Sequence, residues 1–186
     1  MKNPDNISLF SKRFCYFIMV IPLILLLYAC PFSSPYKLDK EASVPVDEIF
    51  LGKWATMVIN KKGNMQPVKM ILSKKNENEY NIYFTGDLND LKPYKIVKND
   101  SIKGSAFMSI VANSQFLNIE IKGQTYISEL IYKNDKLSLM PLTDGFTAKY
   151  IKTDAELRKA VEVHFRTRVF PRFDDQFCLR DMVRVN

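Results

Sequence analysis

In Phe116-Leu-Asn-Ile-Glu-Ile-Lys122 the apolar side chains fall at every second position, with Leu117, Ile119 and Ile121 set against Asn118, Glu120 and Lys122. Successive side chains of an extended chain point to opposite faces. A period of two therefore specifies a strand with one face toward a core and one toward water. The same rhythm covers residues 51–142, where short runs rich in β-branched and aromatic residues alternate with turn formers. The runs are 54–59, 68–73, 80–85, 94–97, 106–111, 116–122, 125–132 and 136–142. Between them stand Asn60-Lys-Lys-Gly-Asn64, Asn76-Glu-Asn-Glu79, Gly86-Asp-Leu-Asn-Asp90, Lys98-Asn-Asp100, Asn113-Ser114, Gly123-Gln124 and Asn134-Asp135. Gly63 is available for the positive φ of a tight hairpin. Eight strands with a single buried face predict an antiparallel meander, which removes its exposed edges by closing into a barrel. An open sandwich is the alternative packing.

At Thr153 the period changes. Thr153-Asp-Ala-Glu156 is a capping box, in which the threonine hydroxyl accepts the Glu156 N–H and the glutamate accepts the Thr153 N–H. Leu157, Ala160, Val161, His164, Phe165 and Arg168 then recur at helical spacing, predicting a helix over about 153–169 that stops before Pro171. Leu157, Val161 and Phe165 form the face that would pack on the barrel. Phe173, Phe177, Leu179, Met182 and Val183 make the tail apolar enough to be tied down. The expected fold class is mainly β: an eight-stranded antiparallel meander barrel, one C-terminal helix and an ordered tail. Residues 49–186 suffice for one compact domain and are too few for two.

The N-terminus has a different character. Lys2, Lys12 and Arg13 precede an apolar run from Phe14 to Ala29, interrupted by Pro22. A basic stretch, an apolar stretch and a small exit residue mark a secretory signal. The run falls short of the roughly 20 apolar residues that cross a bilayer comfortably, which favours cleavage over a retained anchor. Residues 31–48 carry Pro31, Pro35 and Pro45, serines and mixed charges without apolar periodicity, so 30–48 reads as an extended tether.

The exit Leu27-Tyr28-Ala29-Cys30 resembles the lipobox of bacterial lipoproteins: an aliphatic residue, a variable one, a small one and cysteine. The resemblance implies diacylglyceryl transfer to the Cys30 thiol, removal of residues 1–29 and acylation of the new amine, giving palmitate-type chains that hold the protein on a membrane. Two or three chains suffice for stable anchoring. An ordinary signal peptide or a signal anchor ending in cysteine is the alternative. No acidic residue follows Cys30 closely, so the expected location is the outer membrane, facing the periplasm.

Gly52-x-Trp54 near the first strand, the eight-strand meander and the following helix together resemble a small lipocalin. In that family the glycine and tryptophan close the barrel base, and the interior holds a small apolar ligand. An arginine near the helix covers the tryptophan there, a place that Arg166 or Arg168 would fill. The expected interior liners are Trp54, Met57, Met70, Tyr83, Phe107, Met108 and Met140, whose adaptable side chains suit a pocket and a filled core equally well.

Chemistry-bearing residues are sparse. His164 is the single histidine, and its place beside Val161 and Arg168 suits a structural role. Cys15 leaves with the signal and Cys30 becomes a thioether, so Cys178 is the one thiol of the mature chain and no internal disulfide is expected. Cys178 with His164 and Asp174 or Asp175 has no recognisable spacing for a nucleophile or a metal site. The pairs Asp174-Asp175 and Asp87 with Asp90 lack the multi-oxygen loop of a calcium site. No catalytic residue, metal or cofactor is expected. Residues 1–29 hold three of the 27 basic side chains and one of the 20 acidic ones, leaving 24 against 19, a mildly basic and dispersed balance. No aromatic and basic module for nucleic acid is visible. Two function classes stay open: a module binding an apolar small molecule or lipid, and an interaction protein that assembles an envelope protein complex through its outer surface or the helix cations Arg158, Lys159, Arg166 and Arg168.

Overall fold

A closed eight-stranded antiparallel barrel forms, and its eighth stave comes from the tail. The computed structural model describes residues 31–185 except 61, 87, 95, 148 and 168–172; the expected signal segment and Cys30 lie outside them. A short strand β1 (Ser33–Ser34) is followed by β2 (Gly52–Ile59), β3 (Met65–Lys74), β4 (Glu79–Gly86), β5 (Ser101–Val111), β6 (Ser114–Ile121), β7 (Gln124–Lys133) and β8 (Lys136–Pro141). Helix α1 (Asp154–Thr167) and strand β9 (Leu179–Val185) complete the chain. Each strand from β2 to β8 pairs with the next, and β9 pairs with both β8 and β2, closing the ring. β1 lies outside the ring, on β7.

In the run 94–97, expected as a strand, the described residues 94, 96 and 97 are not in one. A 3₁₀ helix spans Asn89–Tyr94, and Leu88, Leu91 and Ile96 turn into the barrel core. Pro93 gives no ladder N–H, and those apolar groups are better buried across the end of the barrel than in another stave. β9 was hidden because Leu179 and Met182, both interior, are three residues apart. A bulge opposite Leu137–Leu139, with Asp181 at φ 49°, absorbs the extra residue.

Ala112-Asn113, Lys122-Gly123 and Asn134-Asp135 all have positive φ at both positions, so β5 to β8 are joined by two-residue turns whose twist matches the strands. The first two lie one residue before the expected breaks.

The strand pattern holds two cores. Inside the ring pack Trp54, Met70, Leu72, Tyr80, Ile82, Met108, Leu117 and Leu137, all fully buried. Outside, Leu157, Val161 and Phe165 of α1 pack on Val111, Phe116 and Ile127 together with Leu38, Leu142 and Phe146. The second face of β6 is therefore not left to water. Asn118 is buried under Leu38, whose N–H it accepts at 2.7 Å, while its amide donates to Ser109 Oγ at 2.8 Å.

Residues 31–50 run along the barrel instead of extending as a tether. Pro31 bridges Thr143, the Phe32 N–H donates to Leu142 O at 2.8 Å, and the Lys37 N–H donates to Asp154 Oδ1 at 2.9 Å. Arg158 pairs with Asp39, and the Val46 N–H donates to Glu77 O at 2.8 Å. The capping box is half formed: the Glu156 N–H donates to Thr153 Oγ1 at 3.2 Å, but the Glu156 carboxylate accepts from the Lys152 N–H.

Candidate functional site

One end of the barrel is sealed. Asp47 caps a 3₁₀ turn, Glu48–Phe50, that lays Phe50 across the base. Trp54 Nε1 donates to Phe50 O at 2.9 Å, and both rings meet Tyr132 edge-on at 6.2–6.3 Å. Tyr80 joins them: its hydroxyl accepts the Asp47 N–H at 2.9 Å, and burial pushes its phenol pKa up. Arg184 closes the arrangement. Register places it directly opposite Trp54, its guanidinium lies 4.6 Å from the indole, and it donates to Ile49 O and Leu51 O at 2.7 and 2.6 Å. Gly52 has φ 123°, and a Cβ there would meet Arg184 Nη1 at 2.9 Å, so the Gly-x-Trp glycine makes room for this arginine.

The arginine over the tryptophan thus comes from β9 and not from the helix. Arg166 is exposed and paired with Glu162, and Arg168 lies outside the described residues. Its signal was present in Arg184 between Val183 and Val185, but the bulge broke the alternation that would have marked the strand.

The other end is open and holds a cavity of about 130 Å³. Its wall is Val58, Val68, Phe84, Ile119, Ile121, Leu139 and Leu179, with Leu88, Leu91 and Ile96 of the β4–β5 connection alongside. Tyr126 and Ser128 bring hydroxyls to the lining, and burial raises the Tyr126 phenol pKa, so it is a neutral donor at physiological pH. Pro31, Ile59, Asn60, Gln176 and Phe177 border the same space.

Of the seven expected liners, Trp54, Met70 and Met108 face the interior, deep in the filled core, and none borders the cavity. The other four stand on the outer face. Met57 is exposed, Tyr83 lies under Lys103 at 5.2 Å, Phe107 under Lys37 at 5.8 Å, and Met140 is buried outside the interior cluster. Odd and even positions were right for strands but did not say which parity was inside. The actual wall is mostly Val, Leu and Ile, with Phe84 among them, and these residues carry no pocket-specific signal.

His164 is buried with its ring edge-on to Phe146 at 5.8 Å. Cys178 donates to Asp174 O at 3.3 Å, and burial pushes its thiol up to about 11, so it is a neutral thiol at physiological pH. Among the described residues no three His, Cys, Asp or Glu side chains are grouped to hold a metal ion. Asp87 and the Asp90 side chain lie outside the described residues. Of the helix cations, Arg158 is taken up by Asp39 and Ile110 O, and Arg166 by Glu162. Among the described residues no helix is long and apolar enough to cross a membrane.

Asp174 is 4% exposed, and its Oδ2 has no hydrogen-bond partner among the described residues. Burial raises its pKa, the Gln176 N–H opposes the rise, and the neighbouring Asp175 charge adds to it. A raised folded pKa stabilises the fold only below the unfolded value, and the benefit is lost as pH rises through the folded value. Asp174→Asn keeps an acceptor for Gln176 and removes the charge. Thermal unfolding should show a Tm higher by a few degrees at pH 7, with the gain vanishing as pH falls below the ordinary value of 3.8. An equal gain at both pH values would show that ionisation is not the cause.

No family model matches this sequence, and comparison with curated proteins and with solved structures returns no match.

Proposed function

We propose that this protein is an envelope lipoprotein, held by acyl chains on Cys30 at the outer membrane and facing the periplasm, whose barrel binds an apolar small molecule or lipid. The observation that carries the binding reading is the cavity: about 130 Å³ of apolar space at one end of a barrel whose other end is filled. A space of this size holds a benzene-sized apolar group and lies below the roughly 300–1,000 Å³ of pockets that enclose a whole drug-sized ligand. It suits one end of a ligand, a chain terminus or single ring, with the rest leaving through the mouth past the Tyr126 hydroxyl.

The described strands and both cores lie within residues 31–186, so that segment, exported behind an ordinary signal peptide, is the test material. Native mass spectrometry should show an added mass that disappears on denaturation. Titration with N-phenyl-1-naphthylamine should show enhanced fluorescence, and Ile121→Phe, which fills the cavity, should weaken that binding by at least about tenfold. Equal binding by Ile121→Phe, or a bare mass with no dye binding, would sink the ligand reading.

A further inference from the structure

We propose that the open end of the barrel is a membrane-docking face, which sets the apolar tip of the β2–β3 hairpin into the bilayer interface and turns the cavity mouth toward the lipid. The proposal rests on the lipid-anchor reading of Cys30.

The hairpin tip is apolar on the side where a soluble barrel is ordinarily polar. Met57, Ile59 and Met65 are 51%, 70% and 61% exposed. Register pairs Ile59 with Met65 and Met57 with Pro67, so these side chains form one continuous patch on the outer face. Contiguous exposed apolar surface marks a contact face, where scattered single residues would not. The strand end that carries the patch also borders the cavity, through Val58, Ile59 and Asn60.

The path of the chain selects the occupant. Residues 1–30 lie outside the described structure, and the first described residue, Pro31, borders the same cavity mouth. Pro31 is fixed there by its bridge to Thr143, by the Phe32 bond to Leu142 O, and by β1 pairing with Tyr126 and Thr125. Adjacent Cα atoms are about 3.8 Å apart across a trans peptide, so an acyl-cysteine at position 30 leaves the barrel at this end with no spacer between. The anchor and the apolar tip then share one side, and the bilayer is the surface held nearest the patch.

Charge agrees with a lipid surface. Lys62 in the β2–β3 turn, Lys98 in the β4–β5 connection and Lys122 in the β6–β7 turn are exposed at this end. An apolar tip and exposed lysines at the same end fit an interface of acyl chains beneath anionic headgroups. Asp175, at the same end, is paired with Arg180. With the mouth against the bilayer, an apolar ligand passes between lipid and cavity without crossing water.

The test uses the full-length protein in phosphatidylethanolamine and phosphatidylglycerol vesicles, with an environment-sensitive fluorophore on Met65→Cys or, as a control at the sealed end, on Lys136→Cys. Emission from the Met65 position should shift to the blue, and lipids with brominated chains should quench it several-fold more than the Lys136 position. The mass of the N-terminal peptide reports acylation separately. An acylated protein whose Met65 label is as water-exposed as its Lys136 label overturns the docking face and leaves the anchor standing. A protein without acyl mass on Cys30 overturns the anchor and the docking face built on it.

Discussion

Trp54→Ala is expected to lower the unfolding free energy by about 4 kcal/mol, in the range of the largest core truncations. Trp54 is fully buried, so alanine would leave a void in the sealed base among Phe50, Tyr132 and Tyr80, and the indole N–H bond to Phe50 O would be lost. Set against a typical total of about 5–15 kcal/mol, this is a large fraction of the fold's margin. The indole is also the platform for Arg184. Arg184→Ala alone should cost about 1–3 kcal/mol, from two charge-assisted hydrogen bonds to Ile49 O and Leu51 O and the stacking itself. The double variant should cost less than the sum, because each partner's loss already removes the stacking. Urea unfolding followed by circular dichroism measures all three, since Trp54 is the single tryptophan. Additive losses would show that Arg184 and Trp54 hold the base independently.

Asn118→Ala should cost about 2–3 kcal/mol by a different route. Asn118 accepts the buried Leu38 N–H and donates to Ser109 Oγ and Phe107 O, so alanine leaves a buried donor and a buried hydroxyl without their partner. The loss falls on the junction between the barrel wall and the strap formed by residues 31–50. Hydrogen exchange should accelerate in residues 32–42 more than in the interior strands. An equal acceleration everywhere would mean that the strap and the barrel open as one unit.

Strand positions were legible wherever period two met turn chemistry. β6 shows why: Leu117, Ile119 and Ile121 alternate without interruption and all reach the barrel interior. The helix was equally legible, because Leu157, Val161 and Phe165 recur at helical spacing and do form its buried face. The candidate pocket was not. Its wall is made mostly of aliphatic residues from β2, β3, β6, β8 and β9 with Phe84 of β4, and no local pattern separates an apolar side chain that fills a core from one that borders a cavity. Methionine and aromatic content pointed instead to Met57, Tyr83, Phe107 and Met140, which stand on the outer face. The docking of residues 31–50 on the barrel was not legible because it rests on a set of single contacts, Pro31, Leu38, Asp39 and Val46, with no period.

Local physics therefore determined the elements: alternation set the strands, left-handed turn residues set the hairpins, and a threonine cap with a 3.6-residue stripe set the helix. These depend on interactions between residues near in sequence, which a single chain displays openly. Closure depended on residues far apart. β9 completes the ring by pairing with β8 and β2, across a bulge that breaks its own period, and Arg184 reaches Trp54 across 130 positions. Only the tertiary structure decided which end was sealed and which left a cavity, because that depends on how the filled volume falls short of the enclosed one, a property of the whole ring that no segment carries.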